Sequence, residues 1–440
     1  MQVSTEKKEG LKYLLNVTLS KEEFGKAYAD NLKKVSKKAR IDGFRKGHIP
    51  LQILESRFGP DILTGAMDDL IEKTIGNAIK ESKLEEKMAG RPSVDVKKFP
   101  SKDSEFNYEI TLEVHPELEF KPLEDLKVKK AVSSVTDADI DKMIETLRKS
   151  QGKWETKDGL AVGDGTLARI DFTGRIDGKE FEGGKATDFS LDVDSHSMIP
   201  GFTEQIKGHK AGDKFTIKVT FPEDYQAKDL AGKDAEFDIS VNAVEERVLP
   251  EVNADFMKIY GIKDGDLEKF RSELRSNMER ELKRAVNTRN ENALVDALLK
   301  QYGDFEVADA TVKSMVGSLK ESRLQQLRQY GLKTLPESLN KDELYHDEAV
   351  RQARVFEILG VVKQALKYEQ PSDKAVDDLI NTLSSAYEDP EDYKKQVRED
   401  KRLMNAIRNN AYSIELFDLI GQKAFDGEEQ ITFDQAVNNK

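Results

Sequence analysis

Gly43-Phe44-Arg45-Lys46-Gly47-His48-Ile49-Pro50 is the stretch from which the rest of the chain is read. Glycines at both ends permit sharp backbone turns, and Pro50 fixes its own φ and suits the first turn of a helix. The segment predicts a tight loop presenting Phe44, Arg45 and Lys46 outward. A solvated tip is a poor place for an apolar ring beside two cations. A partner offering both an apolar notch and negative charge is a good one. Taken alone, the same residues also fit an ordinary connection between helices.

The flanks predict a small α+β domain, about residues 1–115. Leu11, Tyr13, Leu15, Val17 and Leu19 alternate as in a half-buried strand. Ser20 and Glu23 form a capping box for a helix running to about Lys38, with Phe24, Tyr28, Leu32 and Val35 on one side. After Pro50 come a short helix, Leu51 to Phe58, and a longer one, Asp61 to Lys87. Strands Val94–Phe99 and Phe106–Val114 close the unit. Within 26–57, nine Lys and Arg residues, Lys26, Lys33, Lys34, Lys37, Lys38, Arg40, Arg45, Lys46 and Arg57, face only Asp30, Asp42 and Glu55. Residues 1–115 hold 21 Lys/Arg and 19 Asp/Glu, while the chain as a whole carries −13. One basic patch around a presented loop, in an otherwise acidic protein, points to a polyanion or an acidic protein surface. A lysine run is also commonly no more than a solvated helix face.

Bulk properties set the remaining bounds. With 440 residues the chain exceeds one core and predicts two to four domains. Only 38% of residues are hydrophobic and 35% are charged, which predicts an elongated, surface-rich molecule. There is no cysteine, hence no disulfide or thiolate chemistry. Glu6, Lys7, Lys8 and Glu9 interrupt the place where a signal peptide needs an apolar run. No stretch of about 20 apolar residues occurs to span a membrane. These features predict a soluble, cytoplasmic protein.

From about 150 to 246 glycines cluster and short alternating strands appear, at Ala168–Phe172, Phe215–Phe221 and Glu236–Val244, predicting antiparallel sheet. Gly163-x-Gly165-x-x-Ala168 nominally fits a dinucleotide fingerprint, but it precedes a strand and opens no helix. Beyond Pro250 the pattern is helical. Leu267, Phe270, Leu274, Met278, Leu282 and Val286 recur at helical spacing along some 35 residues from Asp266. Further helices are expected at Ala310–Tyr330, Asp342–Lys367, Ser372–Ala386, Glu391–Gln396 and Lys401–Gln422, followed by a polar, frayed tail from Phe425. These helices predict either one bundle or arms with a partly open apolar cradle.

The pattern Gly-Phe-Arg-x-Gly-x-x-Pro at 43–50 resembles the trigger factor family of ribosome-associated bacterial chaperones. The middle segment resembles FKBP-type prolyl isomerases. Ile170-Asp171-Phe172-Thr173-Gly174 is similar to that family's first pocket strand, and Asp177-Gly178-Lys179-Glu180-Phe181-Glu182 to its turn and following Phe. Met198-Ile199-Pro200-Gly201-Phe202 is similar to the helix start at the pocket floor, and Phe221-Pro222-x-x-Tyr225 to the flap. The resemblance implies a pocket lined by Phe172, Phe181, Glu182, Phe189, Met198, Ile199, Phe202, Tyr225 and Phe237. Glu182 and Phe202 stand where small immunophilins usually carry Asp and Trp, which puts macrolide binding in doubt. Taken singly, Phe189 and Phe237 read equally well as core.

It further implies a multidomain α+β protein: residues 1–115 for ribosome binding, 116–149 as linker and part of a helical body, 150–246 as isomerase, and 247–440 as a helical chaperone domain with arms. Gly43, Phe44, Arg45, Lys46, Gly47 and Pro50 would contact a ribosomal protein near the exit tunnel, with adjacent rRNA beside the basic patch. Clients would be nascent and unfolded chains, and the free protein would self-associate as a homodimer. No cofactor, metal, nucleotide or membrane is expected. The histidines lack ligand spacing, Lys142 spoils an EF-hand-like start at Asp137, and no Walker loop, Gly-x-Ser-x-Gly or cysteine nucleophile is present. Two other readings stand beside a ribosome-docked chaperone with isomerase activity: a free-standing isomerase with targeting flanks, and a scaffold carrying an inactive isomerase fold.

Overall fold

The structure, a computed structural model, describes residues 1–45, 47–195, 197–225, 227–385, 387 and 389–438. The chain begins with an antiparallel hairpin of β1 (Gln2–Lys7) and β2 (Lys12–Leu19). Strand β1 gives little signal in the sequence because only Val3 is partly buried. Helix α1 (Lys21–Lys38) starts at the expected capping box, with the Glu23 N–H donating to Ser20 Oγ at 3.3 Å and the Ser20 N–H donating to Glu23 Oε2 at 2.8 Å.

Helix α2 (Leu51–Glu81) corrects the expected pair of helices. It runs unbroken through Pro60 and stops six residues before Lys87. Proline deprives a helix interior of one hydrogen bond, but Leu54 and Ile62 on either side of it are fully buried in the same apolar cluster. That shared burial offsets the defect. The helix ends where Lys83 adopts a left-handed φ of 61°. Strands β3 (Ser93–Asp95) and β4 (Phe106–Glu113) complete a four-stranded antiparallel sheet ordered β1-β2-β4-β3. Strand β3 is shorter than the Val94–Phe99 reading. Alternating Leu15, Val17, Leu19, Phe106, Tyr108 and Ile110 meet Phe24 of α1 and Ala66, Met67 and Leu70 of α2 in one core.

Strand β5 (Val128–Val132) and α3 (Asp137–Gln151) precede a five-stranded antiparallel sheet made of β6 (Lys153–Thr156), β7 (Thr166–Ile176), β8 (Lys179–Asp192), β9 (Lys214–Thr220) and β10 (Asp234–Val248). Its order is β6-β10-β7-β8, with β9 also on β10, and the short helix α4 (Phe202–Ile206) lies between β8 and β9 in sequence. Helices α5 (Ala254–Ile259), α6 (Leu267–Tyr302), α7 (Asp309–Arg328), α8 (His346–Leu366), α9 (Asp373–Ser384), α10 (Pro390–Glu399) and α11 (Lys401–Ala424) follow. The tail is ordered, against the expectation of fraying: β11 (Phe425–Gln430) pairs with β5, and α12 (Phe433–Val437) opens on a Thr432–Gln435 capping box. Phe433 and Ala436 are buried with Ile140, Phe256 and Phe270, which an exposed tail could not be.

Contacts divide the chain into two units, 1–131 with 288–429, and 132–287 with 430–440. In the first, Leu123 is fully buried among Leu294, Ile358, Val362, Leu416 and Ile420. Helix α7 has no side-chain cap of its own; the Ala310 N–H instead donates to Glu113 Oε2 of β4 at 2.8 Å. Among the described residues no helix is long and apolar enough to cross a membrane.

Helices α1 and α2 are locked by a buried amide. Asn31 Nδ2 donates to the Gly65 carbonyl at 3.0 Å and to Asp69 Oδ2 at 2.8 Å, and Lys34 pairs with the same carboxylate. A Cβ on Gly65 would sit 2.7 Å from Asn31 Oδ1, so glycine sets the approach. Lys34 and Asn31 hold the Asp69 carboxyl below its ordinary range. Its contribution is therefore full above the unfolded value of about 4 and is lost as acid protonates the folded carboxylate. Asn31→Ala is expected to cost about 1–2 kcal/mol in urea unfolding at pH 7. Asp69→Asn should flatten the acid-side loss of stability, measured as unfolding midpoint against pH from neutrality downward; an unchanged acid limb would show the lock to be inert.

Candidate functional site

The loop at 43–50 joins the C-terminal end of α1 to the start of α2. Ile49 is buried and Ile41 half-buried against Leu32, Leu54 and Ile62, which anchors both ends of the loop. Between these anchors the chain turns twice: the Phe44 N–H donates to the Ile41 carbonyl at 3.1 Å, and the His48 N–H to the Arg45 carbonyl at 2.9 Å. Gly43 (φ 90°) and Gly47 (φ 81°) occupy the left-handed region, with nothing within 4 Å of where a Cβ would stand. These glycines serve the backbone, not packing. Phe44 is left 40% exposed, Arg45 is exposed, and Pro50 sits at the N-cap of α2. Lys46 lies outside the described residues.

The surrounding cations separate into two groups. Lys34 is committed to Asp69, and Lys33 reaches Asp30 at 3.7 Å. Among the described residues, Lys26, Lys37, Lys38, Arg40, Arg45 and Arg57 have no carboxylate within ion-pair distance. Glu55, one of the few local acids, is taken by Lys102 at 3.5 Å. The positive charge near the loop is thus largely uncompensated.

The second site is aromatic and lies in the five-stranded sheet. Period-two alternation sends Ile170 and Phe172 of β7, and Phe237, Ile239 and Val241 of β10, into one core. Strand β8 carries one extra residue between the Ile170–Phe189 and Phe172–Ala186 pairs, a bulge that re-aims the chain. Asp171 Oδ1 pins it by accepting the Asp188 N–H at 2.7 Å and Asn242 Nδ2 at 2.8 Å, and these bonds hold the Asp171 carboxyl below its ordinary range. Beyond the bulge Phe189 stands edge-on to Phe172, with centroids 5.6 Å apart. Gly201, at φ 83°, turns the chain into α4 and delivers Phe202 onto Phe237 at 5.2 Å and Phe172 at 5.9 Å.

Phe181 lies edge-on to Phe237 at 6.0 Å and to Phe221 at 5.8 Å; Phe221 in turn carries Tyr225 at 4.8 Å. Edge-to-face contacts at these separations are attractive and fix ring orientation. The structure therefore brings together Phe172, Phe181, Phe189, Phe202, Phe237 and Tyr225, with Met198 and Ile199 packed on the same cluster. It does not bring Glu182 in: that side chain is exposed and has no hydrogen-bond partner among the described residues. Phe221 was missed as a lining residue. Its signal was its place immediately before Pro222 in the flap string.

Phe202 is 0% exposed, whereas Tyr225 is 36% exposed, so the cluster has a buried floor and an open rim. A groove of about 410 Å³ is lined by Asp171, Thr173, Thr187, Thr216, Asp238 and Ser240 and also touches Phe172, Phe215 and Ile239. These polar residues alternate with the inward rings, so the groove belongs to the sheet's other face. Its hydroxyls and charges suit water better than a prolyl ring. Among the described residues no cluster of His, Asp and Glu could hold a metal ion.

Comparison with known families covers the segments that carry both sites. Residues 1–147 match the family model for bacterial trigger factor protein, and 266–422 match the model for its C-terminus. The chain belongs to the trigger factor family. Residues 160–242 match the FKBP-type peptidyl-prolyl cis-trans isomerase model, so this trigger factor family member contains an FKBP-type domain. A solved chain, described as concerning promiscuous substrate recognition in folding and assembly activities of the trigger factor chaperone, aligns with 96% of this chain and 100% of its own. At 19% identity and a TM-score of 0.44 the overlap is too loose to transfer geometry.

Floor and rim should respond differently to truncation. Phe202→Ala is expected to cost about 3–5 kcal/mol, read through the fluorescence of Trp154, the sole tryptophan, on β6. Tyr225→Ala should cost about 1 kcal/mol. Equal losses would abolish the distinction.

Proposed function

We propose that this chain docks at the ribosome exit site through the 43–50 loop, holds nascent or unfolded chains without ATP, and catalyses cis/trans isomerisation of X-Pro bonds. The observation that carries the docking reading is the exposed Phe44 ring between two left-handed glycines, on a loop anchored at both ends and flanked by unpaired cations. Phe44 would enter an apolar notch on a ribosomal protein near the exit tunnel. Arg45 would form a bidentate pair with a carboxylate, with Lys46 beside it and Lys37, Lys38 and Arg40 toward adjacent rRNA. Domains would follow the divisions at 115, 149 and 246. The setting is the cytoplasm, with a homodimer off the ribosome.

Client holding needs exposed apolar side chains without a fixed partner. Leu344, Leu403 and Ile414 on the distal helical segments supply them.

Isomerisation needs neither nucleophile nor metal. Rotation about a peptide bond meets a barrier of about 18–20 kcal/mol because resonance is lost as the amide twists. An apolar aromatic site that grips the prolyl ring and disfavours the planar, polar amide lowers that barrier, at about 1.4 kcal/mol per tenfold in rate. Phe172, Phe202 and Phe237 would form the floor, Phe181, Phe189, Met198 and Ile199 the walls, and Tyr225 the rim.

Wild-type protein is expected to pellet with ribosomes at low salt and to release as salt rises. The Phe44→Ala/Arg45→Ala/Lys46→Ala variant should stay in the supernatant while retaining suppression of aggregation. Pelleting equal to wild type would refute the loop assignment. Tyr225→Ala should slow proline-limited refolding at least severalfold, and an unchanged rate would favour a scaffold reading.

A further inference from the structure

We propose that Gly174 and Gly184 are positioning residues of the isomerase site, whose missing side chains make room for the Phe181 ring and set its stance. The proposal deepens the isomerase reading and rests on it. Both glycines lie inside strands, β7 and β8, where glycine weakens the sheet and commonly marks a close approach. Neither has a positive φ, so any residue could adopt the backbone. The reason for glycine must be space.

The space is occupied by aromatic rings. A Cβ on Gly174 would stand 2.5 Å from Phe237 Cε1 and 2.9 Å from Phe181 Cε1. A Cβ on Gly184 would stand 2.8 Å from both Phe181 Cε2 and Cζ. The far edge of Phe181 is therefore lodged over two bare α-carbons. Neighbouring Gly183 makes the contrast: its φ is 80° and nothing lies within 4 Å of its Cβ position. Adjacent glycines thus answer different demands, one for the backbone and one for the ring.

Seated in this way, Phe181 touches Phe237 on the floor side and Phe221, which carries Tyr225, on the rim side. A methyl group at residue 184 would push the half-buried ring outward, toward the space a prolyl ring needs, without requiring any change in strand pairing. Misplacement on the scale of an ångström is enough to impair a site that works by fit.

The test compares full-length wild type, Gly174→Ala, Gly184→Ala, Phe181→Leu and Gly184→Ala/Phe181→Leu. Cis/trans kinetics are measured on short peptides that differ in the residue before proline, and folding is followed by Trp154 fluorescence. Gly184→Ala is expected to lower kcat/KM on the order of tenfold and to change the ranking of peptides, at a Trp154 unfolding midpoint near wild type, whereas Gly174→Ala, whose methyl also meets the buried Phe237, should lower both activity and midpoint. The double variant should be no slower than Phe181→Leu alone, because without the ring the methyl has nothing to displace. If Gly184→Ala fails to fold, recovery of folding in the double variant carries the same conclusion. Wild-type kinetics in Gly184→Ala, or a double variant that loses the product of both single effects, would overturn the proposal. A wild-type chain inactive on every peptide would instead overturn the isomerase reading beneath it.

Discussion

An apolar ring can be kept in water, ready for a partner, only if the backbone beneath it is prevented from folding the ring inward. At 43–50 that constraint is met by burial at both ends. Ile41 and Ile49 pack into the cluster around Leu54 and Ile62, and the Asn31–Gly65–Asp69 lock holds the two helices that the loop joins. With the ends fixed and left-handed glycines at 43 and 47, the intervening residues have little freedom to bring Phe44 back to the core. The unpaired lysines and arginines nearby keep the exposed ring on a well-solvated, positively charged surface. Exposure here is a consequence of rigidity below the tip.

The aromatic site obeys the opposite economy. Its rings are buried or half-buried, and the contacts that would shape a binding floor are also the core of the five-stranded sheet. Burying one such side chain contributes about 1.5–3 kcal/mol, so Phe172, Phe202 and Phe237 cannot be exchanged for binding without loss of folding. Tyr225 escapes that coupling because it stands at the rim on Phe221. Substrate preference can therefore vary at the rim and walls, while the floor is tied to stability.

Signals that depend on near neighbours are legible in the sequence, and those that depend on distant packing are not. The Ser20–Glu23 box, the alternation in β2 and β4, and the span of α6 depend on residues a few positions apart, so their physics is visible in a short window. Pro60 misled because the burial that rescues its helix comes from packing against α1, which no window shows. The tail misled for the same reason: Phe433 is polar-flanked in sequence, yet it fills a gap beside Ile140 and Phe256. At the aromatic site the strings around Phe172, Phe202 and Tyr225 were legible. Phe221 carries only the cue of its place before Pro222 in the flap string, and its contacts with Phe181 and Tyr225 are set by the fold. Gly184 was hidden more deeply, since an absent side chain leaves no pattern of its own.

Chain order adds a last consequence. The five-stranded sheet is complete in sequence at Val248, and all its pairings, including those of β10 with β6 and β7, fall within residues 153–248. The other unit cannot close so early: Leu123 is buried by Ile358, Leu416 and Ile420, some 300 residues later at the far end. Contacts of such separation pay a loop-closure cost before they contribute stability. During synthesis from the N-terminus, the isomerase-type sheet therefore has all its strands long before the helical cluster around Leu123 has its partners. The N-terminal sheet with α1 and α2 is likewise complete by Glu113. The loop and the aromatic floor, the two candidate working parts, thus both belong to segments whose sheets can be satisfied before the distal helices exist.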